Sequence, residues 1–224
     1  MEIVFDKVTK NYGPINVFQD LDIKITAGDF VFVTGPSGSG KSTLIKLILN
    51  QIKPSSGDIL INGVALNHLS TKSEIDKIRR KIGVVFQDYQ LINDLTVEEN
   101  IALSLDIVNY PQNKILPRID EVVKMVKLQH RHFLFPSQLS GGELQRACLA
   151  RALSIEPEVI LADEPTGNLD SANAWNLIKI FKDINKNLKT TIIMTTHNTD
   201  FVDSLDKKVI KLGKTEHGPS KTNS

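Results

Sequence analysis

A glycine-rich segment at residues 35–43 constrains this chain more than any other part of its sequence. It reads GPSGSGKST and matches the pattern G-x-x-x-x-G-K-[ST]. The apolar run 30–34 precedes it, and the apolar helical stretch 44–49 follows it. Glycines allow backbone N–H groups to turn inward around phosphates, and the helix presents its positive N-terminal end to them. The sequence therefore predicts a strand, a phosphate-binding loop and a helix, in that order.

Two residues of this loop carry the expected chemistry. Lys41 is expected to neutralise the β- and γ-phosphates of a nucleoside triphosphate, and the Ser42 hydroxyl to coordinate Mg²⁺. A glycine-rich turn without a ligand is the alternative, which the placement between strand and helix disfavours. The candidate ATP-binding residues are Gly35, Pro36, Ser37, Gly38, Ser39, Gly40, Lys41, Ser42 and Thr43.

A second apolar run ends in two adjacent carboxylates. Residues 159–162 read VILA, and Asp163 and Glu164 follow them. A phosphate-binding loop requires a metal-positioning acid on a neighbouring strand. We therefore expect Asp163 to hold Mg²⁺, directly or through water, and Glu164 to polarise the water that attacks the γ-phosphate. Adjacent strand residues point in opposite directions, so both can share a site only if the backbone turns, which Pro165 and Gly167 favour. The alternative is a solvated acidic turn.

The segment 139–143, which reads LSGGE, combines a helix start with two glycines. Ser140 and Glu143 fit the S-x-x-E capping box, which starts helices for structural reasons alone. A plain cap does not need Gly141 and Gly142, because each costs up to about 1 kcal/mol relative to alanine in a helix. Exposed N–H groups at a helix N-terminus suit an anion. Because the chain already has one phosphate cradle, we expect this second one to serve the nucleotide of another copy.

The charge balance limits the possible partners. The 224 residues include 27 Lys and Arg and 26 Asp and Glu, which gives a formal net charge of +1. No broad electrostatic field therefore favours nucleic acid or an anionic membrane surface. No apolar run approaches the roughly 18 residues needed to span a bilayer. The acidic residues near the N-terminus, with no sustained apolar stretch, also argue against a secretory signal.

The single cysteine, Cys148, excludes an internal disulfide. It lies in the apolar-patterned stretch 144–153, where free cysteines are usually buried. We therefore expect a packing thiol rather than a nucleophile.

The order of apolar segments predicts an α/β fold with a mostly parallel core sheet. Residues 88–155 are expected to be mainly helical, and the apolar strands 159–162 and 191–194 flank a helical stretch, as in a buried parallel sheet. Functional residues gather at the carboxyl ends of such strands. Near the N-terminus, short apolar runs separated by turn residues favour a partly antiparallel sheet, at 3–8, 18–25, 30–34 and 58–61. We expect one domain over residues 1–212 and a polar, flexible tail at 213–224.

The chain resembles the nucleotide-binding subunits of ABC transporters over nearly its whole length. Segment 35–43 is similar to their Walker A element, 159–164 to Walker B and 139–143 to the signature motif. In that family two cassettes close head to tail, with ATP between the loop of one subunit and the signature of the other. The resemblance implies a P-loop ABC ATPase fold with an N-terminal antiparallel β subdomain and a helical subdomain. It also implies ATP hydrolysis with Mg²⁺ and a second copy of the chain as a partner.

Four further residues take their expected roles from this resemblance alone. Tyr12 is expected to stack on adenine, Gln87 of the Q-loop to lie near Mg²⁺ and the attacking water, and His197 to contact the γ-phosphate. Asp170 belongs to the D-loop, residues 168–170. Each residue type is more often ordinary structure, and only order and spacing around the stronger motifs favour the assignment. The resulting catalytic set is Glu164, His197 and Gln87, and the metal set is Ser42, Gln87 and Asp163.

Departures from the common family pattern point to a subfamily. Leu144 stands where Gln often follows the signature, and Gly167-Asn168 stands where the D-loop commonly begins Ser-Ala. The segment 162–170, ADEPTGNLD, resembles cassettes that drive mechanotransmission: the FtsE type in cell division, and the LolD and MacB types in lipoprotein release and macrolide export. Segment 86–91 is most similar to the FtsE type. This implies an FtsX-like integral membrane subunit and a position on the inner face of the cell membrane.

Apolar residues after Gln87 have two possible roles. They either fill the core of the helical segment or form the surface on which the membrane subunit docks: Tyr89, Leu91, Ile92, Leu95 and Val97. Two other functions are alternatives for the whole chain. A small-molecule kinase would not need a second phosphate cradle, and a soluble ABC ATPase acting on nucleic acid would typically carry a coiled-coil insertion or a second cassette.

Overall fold

The computed structural model describes residues 1–69 and 71–213. The strands in these residues are β1 (Ile3–Tyr12), β2 (Ile15–Ile25), β3 (Phe30–Thr34), β4 (Ser56–Ile61), β5 (Val64–Ala65), β6 (Ile82–Phe86), β7 (Val159–Asp163), β8 (Thr191–Thr196) and β9 (Lys208–Lys211). The α-helices are α1 (Lys41–Ile48), α2 (Lys72–Arg79), α3 (Val97–Ile107), α4 (Gln112–Met125), α5 (Gly141–Ser154), α6 (Ser171–Leu188) and α7 (Thr199–Ser204). The predicted tail lies outside the described residues except for Gly213, and the domain boundary after residue 212 stays a prediction.

Two sheets organise the chain and confirm the predicted α/β class. An antiparallel sheet has the strand order β2-β1-β4-β5, and a parallel sheet has the order β6-β7-β8-β3-β9. The apolar run 30–34, grouped by sequence with the N-terminal strands, lies in the parallel sheet, where β3 pairs with β8 and β9. The segment between β6 and β7 contains α3, α4 and α5, as the helical periodicity predicted.

The central parallel strands are mostly apolar because each face of the sheet packs against a separate core. In β3, Phe30 and Phe32 join the core formed with α3 to α6, whereas Val31 and Val33 join the core formed with α1 and the antiparallel sheet. Alternate residues of a strand point to opposite faces, so a sheet covered on both sides needs apolar residues at every position. This burial fixes the register of the strands that carry the site.

The carboxyl ends of four parallel strands meet at one edge. Phe86 of β6 pairs with Asp163 of β7, and Asp163 pairs with Thr195 of β8. On the next strand, Thr34 pairs with Thr196. The segments that follow these residues are therefore adjacent in space although they are distant in sequence, as expected for ligand sites in open α/β sheets.

Two side-chain contacts join pairs of helices. Arg118 of α4 is buried and donates to the carbonyls of Leu153, at 2.8 Å, and Ser154, at 3.0 Å. It thereby adds hydrogen bonds at the C-terminal end of α5, where the last carbonyls lack i+4 helical partners. The Leu153 carbonyl also accepts from Glu156 N–H at 3.1 Å. Trp175 of α6 meets Phe201 of α7 edge to face, with ring centroids 4.8 Å apart. The first contact joins α4 to α5 within the helical segment, and the second joins α6 to α7.

Across residues 1–69 and 71–213, no helix is both long enough and apolar enough to cross a membrane.

Candidate functional site

The phosphate-binding loop closes around a small cavity at the end of β3. The cavity has a volume of about 240 Å³ and is lined by Val17, Ser37, Gly38, Gly40, Lys41, Ser42, Thr43 and Glu164. Gly40 has a φ of 95°, and a Cβ at this position would lie 2.6 Å from the ring of Phe18. Only glycine fits there without displacing β2, which explains why the last glycine of the motif is required in this fold.

Lys41 is the cation of this cavity. It begins α1 and is only 7% exposed. Its ammonium donates to the carbonyls of Gly35, at 2.9 Å, and Pro36, at 3.3 Å, and lies 3.3 Å from Glu164 Oε1. The arrangement holds a positive charge at the N-terminus of a helix, where an anion such as a phosphate is favoured.

The two carboxylates after β7 share the site because the backbone turns at Glu164 itself. Glu164 has a φ of 45°, in the left-handed region, and its carbonyl accepts a hydrogen bond from Gly167 N–H at 3.0 Å. The sequence correctly predicted a turn here but placed its cause at Pro165 and Gly167. A left-handed conformation is uncommon for a non-glycine residue and is found frequently at functional sites.

Thr195 of β8 orients both carboxylate residues, and it was not predicted from the sequence. Its hydroxyl donates to Asp163 Oδ1 at 2.7 Å and accepts a hydrogen bond from Glu164 N–H at 2.8 Å. The available signal was a buried polar residue at the end of an apolar strand, two positions before His197. Without the pairing of β7 with β8, that signal could not be assigned to these carboxylates.

His197 lies next to Glu164. Its Nδ1 is 3.0 Å from Glu164 Oε2, and its side chain is 65% exposed. The structure thus brings Lys41, Glu164 and His197 into one chain of contacts, while the other ring nitrogen of His197 is available to a ligand.

A second, larger cavity brings the expected metal residues together. Its volume is about 590 Å³, and its lining includes Ser42, Gln87, Asp163, Glu164 and Asn168. Hydroxyl, carboxylate and amide oxygens are the ligands that Mg²⁺ prefers, usually one or two from protein with the rest from phosphates and water. Within the described part of the chain, no group of three His, Cys, Asp or Glu side chains could hold a metal by itself. This donor set fits Mg²⁺ bound together with a nucleotide.

The signature residues lie outside both cavities. Ser140 is the N-cap of α5, its hydroxyl donates to Glu143 Oε2 at 2.8 Å, and Glu143 N–H donates back to Ser140 Oγ at 3.4 Å. Ser140 and Glu143 therefore form the capping box that their S-x-x-E spacing predicted. The Ser140 backbone N–H, followed by its hydroxyl, holds the pKa of Glu143 below its ordinary value. Neither Gly141 nor Gly142 lines the phosphate cavity of its own chain.

Two residues assigned by resemblance stand apart from the cavities. Tyr12 ends β1, is 45% exposed, and carries the ammonium of Lys10 over its ring at 4.9 Å. Asp170 is the N-cap of α6, where it accepts a hydrogen bond from Asn173 N–H at 2.9 Å that lowers its pKa. Their expected roles toward adenine and in the D-loop stay predictions.

Cys148 is a buried packing residue, as expected. It is completely buried, and its Sγ donates to the carbonyl of Tyr89 at 2.9 Å. Burial raises the pKa of the thiol to about 12, which disfavours the reactive thiolate.

The apolar residues after Gln87 divide between the two roles considered for them. Val97 is fully buried and Tyr89 and Leu91 pack partly against the core, whereas Ile92 is 44% exposed. A separate groove of about 430 Å³ contains none of the five residues, and it is lined by Lys72, Asp76, Arg79, Arg80, Ser104, Ile107, Val108 and Ile155. Part of this segment therefore belongs to the core and part remains available to a partner.

Comparisons with known proteins agree on one family. The ABC transporter family model matches residues 18–167. The chain is 46% identical to the cell division ATP-binding protein FtsE of Bacillus subtilis over 94% of the chain and 92% of that protein. It is 42% identical to the methionine import ATP-binding protein MetN of Photorhabdus laumondii over 84% of the chain and 54% of that protein.

A solved structure shows the same fold in a nucleotide complex. The dimeric post-hydrolysis state of the ATP-binding cassette MJ0796, bound to ADP and Pi, superposes with a TM-score of 0.83 and 36% identity, covering 94% of each chain. The phosphate cavity, the paired carboxylates and these similarities lead to one assignment. The chain belongs to the ABC transporter family of ATP-binding subunits, and it is an ATPase.

Proposed function

We propose that this ATPase is the FtsE-like subunit of a cell-division complex and drives an FtsX-like integral membrane subunit. The observation that carries the proposal is the 46% identity to Bacillus subtilis FtsE, which extends over nearly the whole of both chains. A second candidate is a methionine importer, because MetN is 42% identical over a shorter stretch. The LolD and MacB types are further alternatives to the FtsE type, and only the resemblance of segment 162–170 supports them.

In the proposed catalytic cycle, Lys41 binds the β- and γ-phosphates. A phosphate in the 240 Å³ cavity would compete with Glu164 for the Lys41 ammonium, because both are anions close to the same cation. Glu164 would then be released to accept a proton from the attacking water. His197 would keep Glu164 in place through Nδ1, and its exposed ring is proposed to contact the γ-phosphate with the other nitrogen, as the family resemblance implies.

Ser42, Asp163 and Gln87 are the proposed holders of Mg²⁺. Thr195 occupies Asp163 Oδ1, which leaves Oδ2 for the metal or its water. When bound, Mg²⁺ supplies charge neutralisation for the β- and γ-phosphate oxygens. Because the backbone turns at Glu164, the two neighbouring carboxylates can have different roles: Asp163 is proposed to serve the metal, and Glu164 the attacking water.

The proposed working form is a head-to-tail homodimer with ATP in between. Ser140, Gly141 and Gly142 at the start of α5 line neither cavity of their own chain, which supports the proposal that they contact the nucleotide bound to a second copy. The similar cassette MJ0796 was solved as a dimer with ADP and Pi. Tyr12 is proposed to stack on adenine, and Asp170 to contribute through the D-loop.

The groove between α2 and α3 is the proposed docking site for the membrane subunit. Ile107 is 62% exposed there, and Val108 and Ile155 continue the apolar surface. The charged lining residues of the groove are Lys72, Arg79 and Arg80 against the single acid Asp76, which leaves an excess of positive charge. An amphipathic cytoplasmic segment with acidic residues would fit this combination. The chain would then lie on the cytoplasmic face of the membrane through its partner.

Capture from native membranes tests this function. A tagged Glu164→Gln chain, purified in mild detergent with Mg-ATP, should retain a membrane protein with the four-helix, large-loop pattern of the FtsX type. Ile107→Asp should lose this partner while still binding ATP. Leu116→Asp is the matched control, because Leu116 is 66% exposed on α4 and outside the groove. Recovery of a methionine importer permease instead would contradict the cell-division assignment.

A further inference from the structure

Gln87 and Asn168 form a reciprocal pair of hydrogen bonds between two loops. Gln87 Nε2 donates to Asn168 Oδ1 at 3.2 Å, and Asn168 Nδ2 donates to the Gln87 carbonyl at 3.1 Å. The residues are 81 positions apart, and each follows a strand of the parallel sheet, β6 or β7. The side chain of Asn168 therefore holds both the backbone and the side chain of Gln87.

Gly167 makes room for this pair. A Cβ at Gly167 would lie 2.8 Å from Gln87 Nε2 and 3.0 Å from Gln87 Cδ. A serine here, which is common in the family, would push the amide of Gln87 away from its position. The two departures from the usual Ser-Ala sequence thus act on one side chain: Gly167 leaves the space, and Asn168 supplies the hydrogen-bond partner.

The pair also decides which end of the Gln87 amide is available. Because Nε2 donates to Asn168, the oxygen Oε1 is left as the acceptor, and among the residues that the structure describes none donates to it. An oxygen is the only atom of an amide that Mg²⁺ or a water proton can use. Gln87 and Asn168 line the same 590 Å³ cavity as Ser42 and Asp163.

We propose that Asn168 is a positioning residue, which orients the Gln87 amide so that its oxygen serves the metal and the attacking water. The inference rests on the proposed function of this cavity. It also gives the D-loop a direct contact to the metal site of its own chain, since Asn168 lies two residues before Asp170, the N-cap of α6.

The first test follows the Gln87 side chain in the protein without nucleotide. In ¹⁵N NMR spectra, the side-chain amide signals of Gln87, assigned by their loss in Gln87→Ala, should shift in Asn168→Ala toward those of a solvent-exposed glutamine. Gly167→Ala should shift them as well, because the added Cβ displaces the amide while Asn168 remains. Asn113→Ala, an exposed asparagine on α4, is the matched control. Unchanged Gln87 signals in Asn168→Ala would overturn the proposal.

The second test measures metal dependence by calorimetry with a non-hydrolysable ATP analogue. Asn168→Ala should raise the Mg²⁺ concentration for half-maximal binding about three- to tenfold, the effect of losing one neutral hydrogen bond. In a Gln87→Ala background the same substitution should change nothing, because its effect passes through Gln87. If the wild-type chain needs Mg²⁺ to bind the analogue and Asn168→Ala needs the same Mg²⁺ concentration, only the positioning role is overturned. If binding to the wild-type chain does not depend on Mg²⁺, the proposed function itself is contradicted.

Discussion

Glu164 Oε1 lies 3.3 Å from Lys41 Nζ, so the proposed water-activating carboxylate and the proposed phosphate-binding ammonium are partners of each other. In the proposed cycle this contact would couple two steps. An incoming phosphate would compete with Glu164 for the Lys41 ammonium, so the carboxylate would be free to activate water only when the phosphate is bound.

Replacing Glu164 with glutamine should therefore slow hydrolysis by about 10² to 10⁴, the usual contribution of a positioned general base. Nucleotide binding should survive, because glutamine keeps the size and removes only a negative charge beside the γ-phosphate. Glu164→Gln with Mg-ATP should accumulate as a long-lived dimer. Phosphate-release rates and size-exclusion profiles measure both effects.

Asp163→Asn is the matched comparison for that experiment. It removes the carboxylate proposed for the metal, so it should weaken Mg²⁺ dependence and disfavour the dimer. If the two variants behave alike, the division of labour between Asp163 and Glu164 is wrong.

Lys41→Ala should weaken Mg-ATP binding by roughly 10- to 100-fold or more, because a charge-assisted hydrogen bond to phosphate is lost. The fold should persist, since Glu164 keeps His197 as a partner. Titration calorimetry gives the affinity, and a thermal melt checks the fold. Wild-type affinity together with full turnover in the folded variant would remove Lys41 from the site.

Gly142→Asp should prevent the ATP-dependent dimer and spare ATP binding to the monomer. The added carboxylate would face the γ-phosphate of the partner copy, and like charges at close range repel. A Cβ at Gly142 would also lie 2.9 Å from Asn173 Oδ1, so Gly142→Ala is needed to separate local crowding from charge. Light scattering with and without ATP measures the outcome. An undisturbed ATP dimer in Gly142→Asp would argue against the composite site.

Cys148→Ser should leave turnover within a few-fold of the wild type, because serine retains a donor for the Tyr89 carbonyl. The thiol should resist alkylation in the folded protein at pH 8. Its pKa is raised from 9.0 to about 12, so its stabilising contribution is complete below pH 9 and is lost as the pH rises toward 12. Thermal melts of the wild type and of Cys148→Ser between pH 9 and pH 12 test whether the wild type loses stability as the pH rises. Loss of activity with an unchanged melting curve would show that the thiol has a catalytic role.

Glu99 provides a test at acidic pH. The Thr96 backbone N–H, and then its hydroxyl, lower the pKa of Glu99 below its ordinary value of 4.5. A lowered pKa means that the charged form stabilises the fold above pH 4.5 and that this contribution is lost as the pH falls. Glu99→Gln should be less stable than the wild type at pH 7, and the difference should close in acid. A difference that stays constant with pH would show that charge is not the cause.

The sequence predicted those strands and helices whose local residue pattern matches the environment that they have in the folded protein. The strand at 30–34 and the start of β7 were placed correctly, because apolar runs lead directly into motif residues. β6 was missed because Gly83 weakens its strand pattern. That glycine is explained only by tertiary packing, since a Cβ there would lie 2.5 Å from the Ala152 carbonyl of α5. α2 was missed because none of its residues is buried.

The site shows the same division. Motifs identified the residue types, but the contacts of Thr195 with Asp163 and of Asn168 with Gln87 join segments 32 and 81 residues apart. Such contacts depend on strand order and register, which one sequence does not reveal. The left-handed backbone of Glu164 likewise follows from the surrounding sheet and not from its own preference.

The edge-to-face contact of Trp175 with Phe201 joins α6, which Asp170 caps, to α7, which follows His197. Trp175 is the only tryptophan of the chain. Indole emission is sensitive to the immediate surroundings of the ring, so the intensity and emission wavelength of tryptophan fluorescence report on the contact between α6 and α7. The protein thus carries its own optical probe, with which the relative movement of the two helices can be timed in solution without attaching a dye.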